Sequence, residues 1–161
     1  MNTQQQFREQ KTLETNNLYN LPEVQDALTK IGTPLMVFQP EILKKTYLNL
    51  VEAMPYAHFH YAVKAGSSNP VIETLKSVDG YFDVASDGEI QLLQKHGIDF
   101  SKVIHTHPHK KETHIVWAYE QGIRVFIIDS LKELHKFSRL KLDNVDILIR
   151  LSYQKKKLKV I

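Results

Sequence analysis

The sequence predicts an α/β domain on a parallel sheet of (β/α) barrel type, part of a barrel rather than a whole one. Short apolar, β-prone runs recur at 35–38, 58–63, 81–85, 103–107, 125–129 and 146–151, with starts 21 to 23 residues apart. Between them lie segments of helical spacing, and strands alternating with helices of this length are the signature of βαβ units in a parallel sheet. None of the six glycines forms the G-x-G-x-x-G or P-loop turn that an open nucleotide-binding sheet sets after its first strand. A barrel of eight strands takes roughly 250 residues, so 161 residues hold about five of the eight.

Taken in order, residues 1–20 are rich in Gln, Asn and Thr and read as an arm. Leu21-Pro22 then opens a helix, with proline in the first turn, and Gly32-Thr33-Pro34 closes it. Residues 1–31 therefore form a polar arm and short helix, residues 32–153 the barrel portion, and residues 154–161 a basic tail. Helices are expected over 41–54, 70–76, 88–96, 110–121 and 130–140. Ser86-Asp87 and Asp129-Ser130 are start signals for two of them, and Gly97 and Gly122 are stop signals. Trp117 and Tyr119 belong to a helix packed on the sheet.

Composition excludes several classes of protein. At 42% hydrophobic and 24% charged residues the chain has enough apolar surface to fold. No apolar run approaches the ~18 residues of a membrane span, and residues 1–10 are too polar for a secretory signal. With no cysteine there is no disulfide, thiolate metal site or thiol nucleophile, which favours the cytoplasm. The net charge of +3 comes from Lys155, Lys156, Lys157 and Lys159; without them 17 basic residues face 18 acidic ones. No basic nucleic-acid face is expected on so neutral a body.

In parallel α/β domains the chemistry gathers where strands end. Those positions carry Lys64, Asp83 with Ser86, the histidines 105, 107 and 109, Asp129 and Arg150. A lysine closing an apolar strand at a desolvated mouth has a lowered pKa, and its neutral amine attacks carbonyl carbon. A lysine there also reaches solvent along its own stem, so spacing alone leaves both readings open. Asp83 and Arg150 fit either a ligand site or a structural ion pair. His105 and His107, two apart on a strand, share a direction and resemble the H-x-H pair of barrel metallohydrolases. The other ligands of such a site are not evident, so no metal is expected and His105 is read as a polar strand end near a cofactor.

Tyr61-Ala62-Val63-Lys64-Ala65, followed 19 residues after the lysine by Asp83 in Phe82-Asp83-Val84-Ala85-Ser86-x-Gly88-Glu89, resembles the fold-type III pyridoxal-phosphate decarboxylases. These are the ornithine, diaminopimelate and arginine decarboxylase group. Val125-Phe126-Ile127-Ile128-Asp129-Ser130 resembles the family's fourth barrel strand, and Ile147-Leu148-Ile149-Arg150-Leu151 its fifth. The resemblance runs from about Gly32 to Tyr153. It implies that Lys64 carries pyridoxal 5'-phosphate and is the catalytic lysine, with Ala62, Asp83 and Arg150 around the cofactor. Ser86, Glu89 and His105 are weaker candidates. It also implies a lyase that decarboxylates a basic amino acid such as ornithine, for polyamine synthesis, and that works as a homodimer. His105-Thr106-His107-Pro108-x-Lys110 favours the ornithine/lysine side. A diaminopimelate decarboxylase of lysine biosynthesis is the alternative, as is a non-catalytic, cofactor-binding partial barrel with a regulatory role.

Two departures stand out. Gly66 occupies a position where the family often has asparagine. The resemblance also implies three further strands, a glycine-rich phosphate loop, an acidic partner for the pyridine nitrogen and a C-terminal β-domain. The lysine run after Gln154 is the kind of stretch an adenine-rich, slippage-prone gene segment encodes. A frameshifted or truncated reading frame, inactive on its own, is therefore expected.

Overall fold

A computed structural model describes residues 17–151, and the chain divides into two units between Gln39 and Pro40. The basic tail lies outside the described residues. In the first unit α1 (Pro22–Ile31) starts with proline, whose missing N–H has no partner to lose there, and stops at Gly32. The expected strand at 35–38 is not one: its backbone is irregular and Met36 is 95% exposed. β-prone side chains do not make a strand without a neighbour for the N–H and C=O groups, and the described residues of this unit contain no other strand.

The second unit contains α2 (Pro40–Ala53), β1 (His60–Ala62), α3 (Asn69–Lys76), β2 (Tyr81–Val84), α4 (Asp87–Lys95), β3 (Val103–His105), α5 (Glu112–Glu120), β4 (Val125–Ile128), α6 (Leu131–Leu140) and β5 (Asp146–Ile149). Its five strands are all parallel and pair in chain order, β1-β2-β3-β4-β5. A doubly wound sheet reverses its order at a switch point; this one advances one way, as a barrel does. The register is equally regular. His60 pairs with Tyr81, Phe82 with Val103, Ile104 with Val125 and Val125 with Asp146, each partner 21 residues further on.

Alternation along the strands gives the sheet two unlike faces. Phe82, Val84, Val103, Phe126 and Ile128 are all at most 2% exposed and pack under the helices. Each of α3, α4 and α5 meets them with residues one turn apart: Ile72 and Leu75, Ile90 and Leu93, Ile115 and Ala118. Phe137 of α6 completes this layer against Phe126, ring centroids 5.3 Å apart. The chain returns from α4 and α5 through Gly97 (φ +62°) and Gly122 (φ +110°), backbone that a Cβ would strain. Tyr47 of α2 ties the start of the sheet together, its hydroxyl donating to Phe59 O and accepting from Tyr81 N, both at 3.0 Å. No helix among the described residues is long and apolar enough to cross a membrane.

Candidate functional site

The face turned away from the helices collects the polar residues. Ala62 of β1 is in register with Asp83 of β2, and Asp83 with Ile104 of β3, so these three stand side by side on it. Thr106, two residues beyond Ile104, shares the face; its N–H donates to Val84 O at 2.8 Å and carries the β2–β3 ladder past the end of the strand. The Thr106 hydroxyl donates to Asp83 Oδ1. Arg150 follows β5, with its own N–H on Ile128 O at 2.7 Å, and its Nη2 reaches back to Thr106 O at 3.5 Å. A carboxylate and a guanidinium thus meet at the carboxyl ends of the strands through one threonine, which the sequence reading passed over.

Lys64 sits differently from the strand-end position expected. The strand stops at Ala62, and Lys64 lies in the 3-10 turn Val63–Ala65, exposed. The desolvated mouth expected around it is not formed by the described residues. Its ammonium makes no hydrogen bond or ion pair among them. It is two residues beyond Ala62, next to the strand that carries Asp83.

Three other candidates are engaged elsewhere. Ser86 caps α4, its Oγ accepting from Glu89 N at 3.4 Å, while Glu89 Oε2 accepts from Ala85 N at 2.7 Å. This is a variant of the reciprocal capping box, and it accounts for both side chains at the helix start. His105 is on the wrong face for the cofactor role expected of it. It is in register with Val84 and Phe126, 2% exposed, and stacks on the Phe126 ring at 6.0 Å between centroids. Its Nδ1 has no hydrogen-bond partner among the described residues. Burial first, then the nearby Lys110 and His107 charges, lower its pKa to about 4, so the ring is neutral at pH 7.

His107 and His109 belong to the turn after β3, where His107 Nδ1 accepts from His109 N at 3.1 Å. No three His, Asp or Glu among the described residues are grouped to hold a metal ion. The motif's lysine, Lys110, is 5% exposed and points its ammonium at two backbone oxygens, His107 O at 2.7 Å and Ile127 O at 2.6 Å. Burial lowers its pKa to about 8, against the opposing pull of Glu133. Glu133, 3% exposed, accepts from Lys110 N at 3.2 Å and from Lys136 Nζ at 2.6 Å. Lys136 also donates to Lys110 O at 2.6 Å, which locks the β3–α5 loop to α6. Burial alone would raise the Glu133 carboxyl, but these hydrogen bonds outweigh it and hold its pKa below the usual range. A cleft of about 500 Å³ beside this loop is lined by His105, His107, Lys111 and the start of α4; Lys64, Asp83 and Arg150 are not part of it.

Residues 41–160 match the family described as pyridoxal-dependent decarboxylase, pyridoxal binding domain. The chain belongs to the pyridoxal-dependent decarboxylases. Among its relatives in the family, it is 28% identical over 135 residues to the lysine/ornithine decarboxylase of Selenomonas ruminantium, covering 84% of this chain and 34% of that one. It is 37% identical over 99 residues to the ornithine decarboxylase of Mus musculus, covering 62% of this chain and 21% of that one. The solved lysine/ornithine decarboxylase of Vibrio vulnificus, complexed with putrescine, superimposes with a TM-score of 0.75 at 34% identity, over 83% of this chain and 36% of that one. The chain thus spans about a third or less of the length of these decarboxylases.

The family's cofactor, pyridoxal phosphate, is an aldehyde on a pyridine ring with a phosphate arm, and the residues present fit its reactive end. An exposed amine without a partner among the described residues follows β1, a carboxylate with one oxygen committed lies on β2, and a guanidinium follows β5. Ala62, the small residue two positions before the lysine, is in register with the carboxylate residue.

The decarboxylase departure at Gly66 has a steric explanation. Tyr61 Oη donates to Gly66 O at 3.2 Å, and a Cβ on Gly66 would lie 2.7 Å from that hydroxyl. The backbone there is extended, so a side chain at this position meets a limit of space, set by the Tyr61 hydroxyl, and not one of conformation. Gly66→Asn is expected to destabilise the chain by about 1–3 kcal/mol through overpacking. Adding Tyr61→Phe should recover most of that loss in a urea titration. Full destabilisation persisting in the double variant would show that the hydroxyl is not the obstacle.

Proposed function

We propose that residues 32–153 form the cofactor-holding portion of a pyridoxal-phosphate-dependent decarboxylase of basic amino acids, ornithine or a related diamino acid, serving polyamine synthesis. The observation that carries this reading is the exposed Lys64 amine, without a partner among the described residues, two residues past an Ala62 in register with Asp83, which Thr106 links to Arg150. Lys64 Nζ would hold the cofactor at its aldehyde carbon and give it up to the incoming substrate amine. Asp83, on the strand next to β1, would supply negative charge on that side of the sheet, and Arg150 a planar donor fork for an anionic oxygen. When bound, the cofactor supplies an electron sink for the pair left behind by departing CO₂. The ornithine side is supported by the relatives named for ornithine and lysine, and by the V. vulnificus structures that hold putrescine and cadaverine. The assembly we infer is a cytoplasmic homodimer, as in the resemblance that motivates it. A second reading, diaminopimelate decarboxylation, has support from the Aquifex aeolicus diaminopimelate decarboxylase, 30% identical over 103 residues.

Borohydride reduction of the purified chain with pyridoxal phosphate, followed by peptide mapping, tests the assignment. Lys64 is expected to take the label ahead of the other lysines. Labelling spread evenly over surface lysines, or absent, would remove Lys64 from the role.

A further inference from the structure

We infer that Thr106 is a positioning residue for the cofactor site, holding the Asp83 carboxylate in one orientation and docking the Arg150 side chain. This deepens the proposed function and rests on it.

Thr106 is 8% exposed, and each of its polar groups has a separate partner. Its N–H is on Val84 O, which fixes the backbone to β2. With the backbone fixed, the hydroxyl meets Asp83 Oδ1 diagonally across the β2–β3 pair, a distance that side chains on one face can span. A carboxylate on a strand is free to rotate about its terminal torsion. A donor on one oxygen sets its plane and leaves Oδ2 without a partner among the described residues. β1, with Ala62 and then Lys64, is the other neighbour of β2. The Thr106 carbonyl completes the arrangement by accepting from Arg150 Nη2 across β4. One residue therefore sets the positions of both charged members of the site. Valine in its place would keep the shape and the backbone bonds but lose the donor.

The test uses the full chain and follows borohydride capture of pyridoxal phosphate at Lys64 as a function of cofactor concentration. Thr106→Val is expected to raise the half-saturating concentration by about 10-fold or more, the scale of a lost hydrogen bond to a charged group. Thr106→Ser should restore it, and the urea midpoint of Thr106→Val should stay near that of the unaltered chain. In an Asp83→Asn background Thr106→Val should add little, because the two changes remove one interaction. Equal capture by Thr106→Val and the unaltered chain would overturn this inference while leaving Lys64 in place. No selective capture by the unaltered chain would overturn the functional reading and this inference with it. If Thr106→Val does not fold, Thr106→Ala and Thr106→Ser decide: equal half-saturation in the two removes the hydroxyl from the site.

Discussion

Glu133→Ala is expected to cost about 3–5 kcal/mol, the range for breaking a buried ion pair from one side. The substitution leaves the Lys110 N–H without its acceptor and the Lys136 ammonium with only the Lys110 carbonyl. It also strips the buried Lys110 ammonium of its strongest favourable charge. For a domain of this size the melting midpoint should fall by roughly 10 °C. Glu133→Gln, which keeps an acceptor but not the charge, should fall between. A melting curve unchanged in Glu133→Ala would mean that the β3–α5 loop does not depend on this network.

The second large effect is a loss of stability in mild acid through His105. Its pKa in the folded chain is about 4, below the ordinary 6.5. Between those values the unfolded chain binds the proton and the folded chain resists it, so stability falls as the pH drops from 6.5 towards 4. The full contribution is present above the ordinary value. The size is about 3 kcal/mol. The cations facing the ring, Lys110, His107 and His114, act in the same direction as burial. Glu133 is held below its usual range, so its contribution is lost only at lower pH, as the carboxylate protonates in the fold. Urea titrations at pH 7, 6, 5 and 4 on the unaltered chain and His105→Phe separate the two groups. The variant should lose most of the slope between pH 6.5 and 4; an identical slope would assign the acid sensitivity to other residues.

The strand and helix positions were legible in the sequence because each repeat combines a short β-prone run with an amphipathic stretch, and local pattern suffices for both. Every expected helix of the second unit is present, within about two residues at each end. The run at 35–38 misled because a strand is a property of a pair, and the partner is not a local quantity. The motifs put Lys64 at a strand end, whereas the chain turns before it and leaves it exposed. Thr106 was missed amid histidines that drew attention to metal chemistry. The signal was available in parity: Ile104 is level with Asp83, so Thr106 shares its face and His105 cannot. The Lys110–Glu133–Lys136 network had no such signal. Its members lie in a loop and on a helix that meet only in the fold, and charges on a helix ordinarily read as a solvated surface.

The two-faced sheet has a consequence for how such a protein varies over evolutionary time. Along β2, β3 and β4 the residues packed under the helices point one way, and Asp83, Ile104 and their neighbours in register point the other. A change at Ala62, Asp83 or Ile104 leaves the packing of Phe82, Val84 and Phe126 alone. Drift on the polar face and drift in the core are therefore nearly separate experiments for natural selection. A lineage can alter one side of such a strand without first finding a compensating mutation on the other.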